Sequence, residues 1–244
     1  SNKVYCANSG YQGIDSTVSV IDGGTDSVIA TVIVGRRPQY LCYNSAENKV
    51  YCASGSDSVI VIDGATDTII ATVTVGSNPG ALCYNPTDNK VYCADGNGLT
   101  VIDGASDSVI ATMAAYGGAF CYNPTDNKVY SANLYLNEVT VIDGASDSVL
   151  TTETTGCWPH AFCYNTTDNK FYCADTGSRC VSVIDGATDE VTATVAVGSS
   201  PLALCYNPTN NKVYSANWYS DDVTVIDGAG DNVLATVTTG RSPR

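Results

Sequence analysis

Histidine, methionine and tryptophan are scarce in this chain of 244 residues, which contains one His, one Met and two Trp. The single histidine, His160, has no recognisable triad neighbours, and general acid–base catalysis favours a His or a perturbed carboxylate beside a partner. No Gly-rich phosphate loop precedes a helix, and no Cys-x-x-Cys-His haem motif occurs. The sequence therefore indicates no familiar catalytic site, and we expect no cofactor.

Positive charge and long apolar runs are also scarce. Eleven Lys and Arg face 25 Asp and Glu, which gives a net charge of −14. Phosphate backbones and anionic lipids are held by clustered basic residues, so nucleic acid is excluded as a favoured partner. No apolar run approaches the roughly 18 residues that a membrane span needs, and we expect no membrane insertion.

The chain consists of one sequence unit that is repeated six times. Its Val-Ile-Asp-Gly signature recurs every 40 to 42 residues, with the Asp at positions 22, 63, 103, 143, 185 and 227. Each unit predicts four short β-strands joined by Asn, Asp, Gly and Pro turns, and helical periodicity appears nowhere. This pattern predicts an all-β, six-bladed β-propeller in a single domain over residues 1–244. A β-solenoid is the alternative, but its shorter rungs would not need four strands per repeat.

One strand of the unit is under-represented. The Cys-Tyr-Asn strand occurs five times, with its Cys at 42, 83, 121, 163 and 205, whereas the other three strands occur six times. The repeats are thus circularly permuted relative to the blade, and one innermost strand is missing. That strand is trimmed or disordered, lies in a longer array, or is supplied by another molecule. The last alternative predicts self-association through the uncovered edge near Lys3–Ala7.

Several segments resemble a known family. Asn2-Lys-Val-Tyr-Cys-Ala-Asn8, Val18-Ser-Val-Ile-Asp22 and Val28-Ile-Ala-Thr-Val32 are similar to the YVTN-type propeller repeat of bacterial and archaeal surface and extracellular proteins. The resemblance covers essentially the whole chain and implies an extracellular or cell-surface location. This chain departs from the YVTN-type repeat in two ways. Its Cys-Tyr-Asn-Pro-Thr-Asp-Asn turn is longer, and Cys is frequent at apolar positions.

The eleven cysteines are regularly placed. A three-residue hairpin loop with an Asn bulge would put three pairs opposite each other: Cys42 and Cys52, Cys83 and Cys93, Cys163 and Cys173. They are either cross-strand disulfides or small buried apolar residues. Two further cysteines, Cys157 and Cys180, lie in connections that share one face of a blade, and they are the best single disulfide prediction. A zinc site with His160 would have an unreliable ligand spacing, so no metal site is predicted.

Every Arg, both Trp and the only His lie at positions that do not follow the repeated motif. These residues lie in or beside the two connections of each blade that share a face, whereas all six Lys lie in the opposite hairpin. Variable loops on a rigid scaffold are typical of binding surfaces. The predicted binding residues are Arg36, Arg37, Tyr40, Tyr116, Trp158, His160, Arg179, Trp218, Tyr219 and Arg241.

These observations predict a non-catalytic extracellular or cell-surface scaffold on a prokaryotic cell. Its partner would be a protein or a glycan bound on the loop face. A subunit completed by its neighbour in a larger assembly is a rival within the same class. The alternative class is an enzyme domain, similar to lactonase or dehydrogenase propellers, with a site at the central channel. Loops that vary only because nothing constrains them are the competing structural interpretation.

Overall fold

The computed structural model describes residues 2–10, 15–115 and 117–244. In these ranges the chain forms 23 β-strands joined by turns, without a helix. It follows that this part of the chain has no helix capable of crossing a bilayer. The chain divides into two compact units, unit 1 (1–117) and unit 2 (118–244), which are described separately. A single domain over 1–244 stays a prediction.

Unit 1 contains three antiparallel sheets, and in each sheet the strands pair in chain order. The first sheet has three strands, β1–β3, and the others have four, β4–β7 and β8–β11. The strands are β1 (Lys3–Asn8), β2 (Thr17–Asp22), β3 (Ser27–Ile33), β4 (Tyr40–Asn44), β5 (Lys49–Ser54), β6 (Ser58–Asp63), β7 (Ile69–Thr74), β8 (Leu82–Asn85), β9 (Lys90–Asp95), β10 (Gly98–Asp103) and β11 (Val109–Met113).

Unit 2 contains three four-stranded sheets of the same topology, β12–β15, β16–β19 and β20–β23. The strands are β12 (Ala119–Asn123), β13 (Lys128–Asn133), β14 (Glu138–Asp143), β15 (Val149–Thr154), β16 (Pro159–Asn165), β17 (Lys170–Asp175), β18 (Cys180–Asp185), β19 (Val191–Ala196), β20 (Pro201–Asn207), β21 (Lys212–Asn217), β22 (Asp222–Asp227) and β23 (Val233–Thr238). The six sheets are the blades predicted from the repeat, which confirms the all-β, six-bladed propeller class. Among the described residues the first sheet has no strand equivalent to β4, as the strand count predicts.

A four-residue turn sets the register between the first two strands of each complete sheet. In the β4–β5 hairpin, Asn44 pairs with Lys49 across the turn. The Oδ1 atom of Asn44 accepts hydrogen bonds from the amides of Ala46 at 2.9 Å and Glu47 at 3.1 Å. Asn48 closes the turn with a φ of 51°, a conformation that Asn tolerates well. The loop is thus one residue longer than a three-residue bulged loop.

This extra residue makes the predicted cross-strand register of the cysteines wrong. Cys42 pairs with Tyr51, and Cys52 pairs with Leu41. Because successive side chains point to opposite faces of a sheet, Cys42 and Cys52 lie on different faces. The same offset separates Cys83 from Cys93 and Cys163 from Cys173. All eleven cysteines are free thiols, and six of the hairpin cysteines pack into apolar cores or beside them.

The turn between the third and fourth strands explains the Asp residues of the Ile-Asp-Gly signature. In β10–β11, Oδ1 of Asp103 accepts hydrogen bonds from the hydroxyl and the amide of Ser106, both at 2.7 Å. These bonds hold the pKa of Asp103 below its ordinary value. The amide of Asp107, whose φ is 57°, donates to the Asp103 carbonyl at 2.9 Å. The carboxylate of Asp103 is therefore a structural turn former.

Neighbouring sheets within each unit pack face to face through apolar side chains. We call the face that packs on the following sheet the forward face and the opposite one the rear face. In the β4–β7 sheet the forward face carries Cys42, Tyr51, Val59, Val61 and Val73, and the rear face carries Leu41, Val50, Cys52, Ile60 and Ile62. In unit 2 the Phe171 ring stacks between Tyr130 and Tyr164, with centroid separations of 3.9 and 4.7 Å. Each such buried side chain stabilises the fold by about 1.5–3 kcal/mol.

A polar contact between sheets, here named the Lys–Tyr clamp, borders each of these cores. Lys49 and Tyr51 extend from the forward face of their sheet to the β10–β11 turn. Nζ of Lys49 donates to the carbonyls of Gly104 and Ala105, both at 3.0 Å, and to Asp107 Oδ2 at 2.8 Å. The Tyr51 hydroxyl donates to Asp107 Oδ1 at 2.5 Å. One carboxylate thereby joins an ammonium and a phenol from the neighbouring sheet.

The same clamp recurs at other sheet pairs in each unit. The Lys–Asp pairs are Lys3–Asp67, Lys128–Asp189 and Lys170–Asp231, each at 2.8 Å, and the accompanying tyrosines are Tyr5, Tyr130 and Tyr172. Burial of each tyrosine, reinforced by its bond to the carboxylate, raises its pKa well above the ordinary range. In these four sheet pairs, the Lys of one sheet and the second Asp of the next sheet's turn therefore join the two sheets.

Candidate functional site

In four of the complete sheets, β4–β7, β8–β11, β16–β19 and β20–β23, the chain enters beside the turn that joins the sheet's second and third strands. These two segments are linked by backbone hydrogen bonds: Gly55 N to Arg36 O at 2.7 Å, Gly96 N to Ser77 O at 2.5 Å, Gly177 N to Cys157 O at 2.9 Å and Trp218 N to Ser200 O at 2.9 Å. We call this end of each sheet the crossover side and the other end the turn side. The predicted pairing of the two connections on one face is confirmed in these sheets.

Several crossover-side residues adopt positive φ although they are not Gly, Asn or Asp. The residue before the crossover proline has a φ of 50–60° in five repeats: Arg37, Asn78, Trp158, Ser200 and Ser242. The equivalent position in the second-to-third-strand turn is occupied by Asp57, Asn137, Arg179 and Asp221, also at positive φ. A bulky side chain in this conformation costs about 1–2 kcal/mol. Arg37, Trp158 and Arg179 occupy positions that the backbone alone would give to Asn or Asp.

In unit 1, two of the predicted residues line one cavity. Arg37 and Tyr40 border a shallow cavity of about 230 Å³ together with Gln39, Gly55, Asn78, Pro79 and Gly80. A Cβ added at Gly55 would meet Cβ of Arg37 at 3.5 Å, and one added at Gly80 would meet Cε2 of Tyr40 at 4.0 Å. Arg37 and Tyr40 thus lie beside the backbone of Gly55 and Gly80, where an added Cβ would make ordinary van der Waals contact with them. Arg36 is exposed beside them and contributes its carbonyl to the crossover hydrogen bonds.

In unit 2, Trp158 and Arg179 lie on one pair of connected loops. The Trp158 ring covers Gly177, whose added Cβ would meet ring atom Cδ2 at 3.3 Å. The Trp158 amide donates to Asn137 Oδ1 at 3.0 Å, and its carbonyl accepts from Thr176 N at 3.1 Å. The backbone is fixed on both sides, yet 60% of the Trp158 surface is exposed. Arg179 is exposed in the turn that Trp158 covers.

A second aromatic cluster lies in the β20–β23 sheet. The rings of Trp218 and Tyr219 lie 4.7 Å apart, and the guanidinium of Arg244 lies 5.3 Å from the Trp218 ring centroid, within cation–π range. Tyr219 is 71% exposed, whereas Nε1 of Trp218 is buried without a hydrogen-bond partner in the described structure. Arg241 is exposed in the segment after β23. The Thr176 hydroxyl donates to the Pro201 carbonyl at 2.8 Å, linking this sheet to the loops of the preceding one.

The two loop cysteines lie on the crossover side of the β16–β19 sheet as free thiols. Cys180 is buried, and its thiol donates to Asp175 Oδ2 at 3.5 Å. Burial, with the charge of Asp175, raises the pKa of Cys180 to about 12, so the thiol stays protonated at neutral pH. Cys157 is exposed in the crossover. A disulfide between them stays a prediction.

Asp175 itself is fully buried at the end of β17. Its Oδ2 also accepts from the Ser182 hydroxyl at 2.7 Å, whereas Oδ1 has no partner in the described part of the chain. Burial raises the pKa of this carboxyl. The equivalent Asp95 accepts from the Gly76 amide at 3.0 Å and the Thr100 hydroxyl at 2.6 Å, so the position is a structural support for the crossover.

The single histidine is the remaining candidate for acid–base or metal chemistry. His160 is exposed on β16, and no hydrogen bond or ion pair within residues 2–10, 15–115 and 117–244 involves its ring. Across the same residues, no three His, Cys, Asp or Glu side chains are grouped as metal ligands. The crossover side presents exposed guanidinium groups and flat aromatic rings.

The predicted binding residues thus fall into three clusters: Arg37 with Tyr40, Trp158 with Arg179, and Trp218 with Tyr219. Arg36, His160 and Arg241 are exposed near them, and Tyr116 lies outside the described residues. Gln39, Asn78 and Arg244 also belong to these clusters, although the sequence did not predict them. A usable signal existed for Asn78, because it precedes the crossover proline at the position that carries Arg37 and Trp158.

Comparisons with known proteins agree with this fold. A family model described as YNCE-like beta-propeller matches residues 2–191. No curated protein matches the sequence significantly. Two solved structures are similar with TM-scores of 0.80: the computationally designed Ika8 protein, at 18% identity over 100% of this chain and 73% of that one, and a chain of a mitotic checkpoint complex, at 14% identity over 95% of this chain and 74% of that one. At such low identity these structures show the fold alone.

Proposed function

The chain belongs to the YNCE-like β-propeller family, and we propose that it is a non-catalytic binding scaffold that engages its partner through the crossover side. The observation that carries this proposal is the placement of exposed Trp158, Arg179 and Arg37 at positive φ, where other repeats carry Asn, Asp or Ser. Unfavourable backbone conformations persist where the surrounding structure enforces them, and they concentrate at functional sites.

The partner we propose is a glycan that carries carboxylates. Flat exposed rings such as those of Trp158 and Tyr219 present apolar surface with a polar edge. The planar guanidinium of a neighbouring arginine such as Arg179 matches a carboxylate in a bidentate way. A protein is the other partner that the sequence predicts, and binding of neither sugar would favour it.

We further propose a location outside the cell or on a prokaryotic cell surface. The Lys-Val-Tyr-Cys-Ala and Val-Ile-Asp-Gly segments support a YVTN-type repeat, and that resemblance implies such a location. Cell fractionation of the source organism, with antibodies against the purified chain, tests this proposal. Recovery only from the cytoplasm would contradict it.

Tryptophan fluorescence provides a direct test of binding, because both Trp residues lie on the crossover side. Trp218→Phe leaves Trp158 as the single reporter. Oligogalacturonate should change its emission, and a neutral oligosaccharide of equal length should bind at least tenfold more weakly. Calorimetry with the same two probes provides an independent affinity.

The variants Trp158→Asn and Arg179→Asn should each weaken oligogalacturonate binding at least tenfold. Both introduce a residue that another repeat carries at the same position, Asn78 and Asn137, so the loops keep their conformation. Tyr43→Ala is the matched control, since Tyr43 is exposed on the turn side, where its hydroxyl donates to Asn48 at 3.1 Å. Equal binding by all three variants would overturn the proposed face, and no binding of either sugar by the wild type would exclude the glycan.

A further inference from the structure

A cavity of about 390 Å³ lies in unit 1 between the end of β7 and the rear face of β8–β11. It shares no lining residue with the Arg37–Tyr40 cavity, and its volume is within the range of about 300–1,000 Å³ that is usual for small-molecule sites. Its wall combines hydroxyl groups, apolar side chains and one carboxylate, which come from Thr74, Val75, Asp95, Thr100, Thr112 and Met113. This mixture fits a small ligand with one polar end and one apolar end.

Asp95 is the only charged residue among the described residues that line this cavity, and it is 8% exposed. Its carboxylate accepts hydrogen bonds from the amides of Gly76 at 3.0 Å and Asn97 at 2.9 Å and from the Thr100 hydroxyl at 2.6 Å. All three donors are neutral, and no Lys, Arg or His in the described ranges forms an ion pair with Asp95. Because a nearly buried charge without a counter-charge is costly, a cationic ligand would be favoured here.

Gly98, which pairs with Asp95 across the β9–β10 turn, leaves space beside this carboxylate. At the equivalent position of the β20–β23 sheet, Asp222 Oδ1 accepts a hydrogen bond at 2.6 Å from Nδ2 of Asn217, the residue equivalent to Asp95. Glycine has no side chain that could make such a contact. A carboxylate has about four acceptor positions, so the three hydrogen bonds to Asp95 leave one for a ligand in the cavity.

We infer that this cavity binds a small aliphatic amine in its protonated form. The ammonium group donates hydrogen bonds to Asp95 and to the Thr112 hydroxyl, and the alkyl chain packs on Val75 and Met113. A metal ion fits less well, because Ca²⁺ takes about 6–8 oxygen ligands and much of this lining is apolar. The net charge of −14 also raises the local concentration of cations. This inference does not depend on the proposed glycan site.

Met113 provides a direct reporter of binding, because it is the only methionine in the sequence. In a protein labelled with ¹³C at the methionine methyl group, titration with n-hexylamine should shift the single methyl resonance. Two probes of similar length control for the apolar contact. Neutral 1-hexanol should bind at least tenfold more weakly, and anionic hexanoate should bind more weakly still. An unchanged resonance with hexylamine, or equal affinity for the amine and the alcohol, would overturn the inference.

Two variants test whether the ammonium group binds beside Asp95. Asp95→Asn removes the negative charge and should lower the affinity for hexylamine at least tenfold, with little change for 1-hexanol. Because this variant also alters hydrogen bonds that support the fold, circular dichroism checks its structure. Thr112→Lys keeps those bonds. Thr112 is exposed and pairs with Thr100, so a lysine there places its own ammonium beside Asp95 and should prevent hexylamine binding.

Thr236→Lys is the matched control for the second variant. Thr236 is exposed and pairs with Thr224 in the β20–β23 sheet, as Thr112 pairs with Thr100, and the change in charge is the same. Its affinity for hexylamine should be unchanged. Folded Asp95→Asn and Thr112→Lys variants that bind hexylamine like the wild type would contradict the site. An equal loss in Thr236→Lys would mean that the amine responds only to net charge, which would also overturn the inference.

Discussion

The turn side and the crossover side of each sheet use charged residues in different ways. On the turn side, Lys49 and Asp107 are almost fully buried in a clamp that joins two sheets. On the crossover side, Arg37 and Arg179 are exposed although their backbone conformation is unfavourable. The comparison shows that one repeat joins neighbouring sheets through charged side chains at one end of the sheet and leaves charged side chains exposed at the other.

Alkaline pH should have the largest effect on the turn side, because it ionises the tyrosines of the Lys–Tyr clamps and so destabilises the fold. The folded-state pKa values of Tyr5, Tyr51, Tyr130 and Tyr172 lie above the unfolded value of about 10. Their contribution to stability is thus fully present below pH 10 and is lost as the pH rises above it. Tyrosinate absorbance and circular dichroism, followed together, should show ionisation of these groups coupled to unfolding. Ionisation of every tyrosine in an intact fold would contradict the buried clamps.

Removing one clamp carboxylate should have the next largest effect. Asp107→Ala leaves the Lys49 ammonium and the Tyr51 hydroxyl nearly buried without their acceptor, and we expect a loss of about 3 kcal/mol in the free energy of unfolding. Asp26→Ala is the matched control: its position in the repeat is the same, but its carboxylate has no described partner. Urea unfolding should show for this control only the smaller loss, about 1 kcal/mol, that Ala at positive φ causes in both variants. Equal losses in the two variants would mean that the clamp adds nothing.

The repeat period was sufficient to predict the fold. The side-chain contacts were not predictable from it, because they depend on the length of the hairpin loop and on the packing of neighbouring sheets. Strand number, turn positions and the shared face of the connections followed from spacing alone. The cysteine register did not, because one extra residue in the Asn44 turn moves Cys42 and Cys52 to opposite faces. The clamp was readable in principle, since Lys49 and Asp107 belong to two series with the same period. The contact itself became identifiable only from the structure, which shows that Lys49 and Asp107 lie on neighbouring sheets.

Relief of strain on the crossover side should have a smaller effect of opposite sign. Trp158→Asn and Arg179→Asn each place a residue that tolerates positive φ, so we expect a gain of about 1 kcal/mol in the free energy of unfolding. Asn78→Trp is the reverse exchange at an equivalent position and should lose a similar amount. Thermal and urea unfolding provide the measurement. A loss of stability in Trp158→Asn would mean that ring packing on Gly177 outweighs the strain, and that the ring is structural.

The carboxyl of Asp175 sharpens the comparison further, because its pKa is raised by burial whereas that of Asp103 on the turn side is lowered. A raised pKa means that Asp175 favours the fold below its unfolded pKa and opposes it as the pH rises through the folded value. Asp175→Asn, which introduces the residue found at Asn133 and Asn217, should therefore gain roughly 1 kcal/mol at pH 7.

That gain should shrink as the pH falls through the raised pKa of Asp175, because the wild-type carboxyl then becomes protonated and the burial of its charge no longer opposes folding. Asp95→Asn is the control, since both oxygens of Asp95 accept hydrogen bonds, from the amides of Gly76 and Asn97 and the hydroxyl of Thr100. An amide there replaces an acceptor by a donor, so this variant should be less stable than the wild type at pH 7. Urea unfolding at several pH values distinguishes the two. A gain for Asp175→Asn that is independent of pH would show that the buried charge is not its cause.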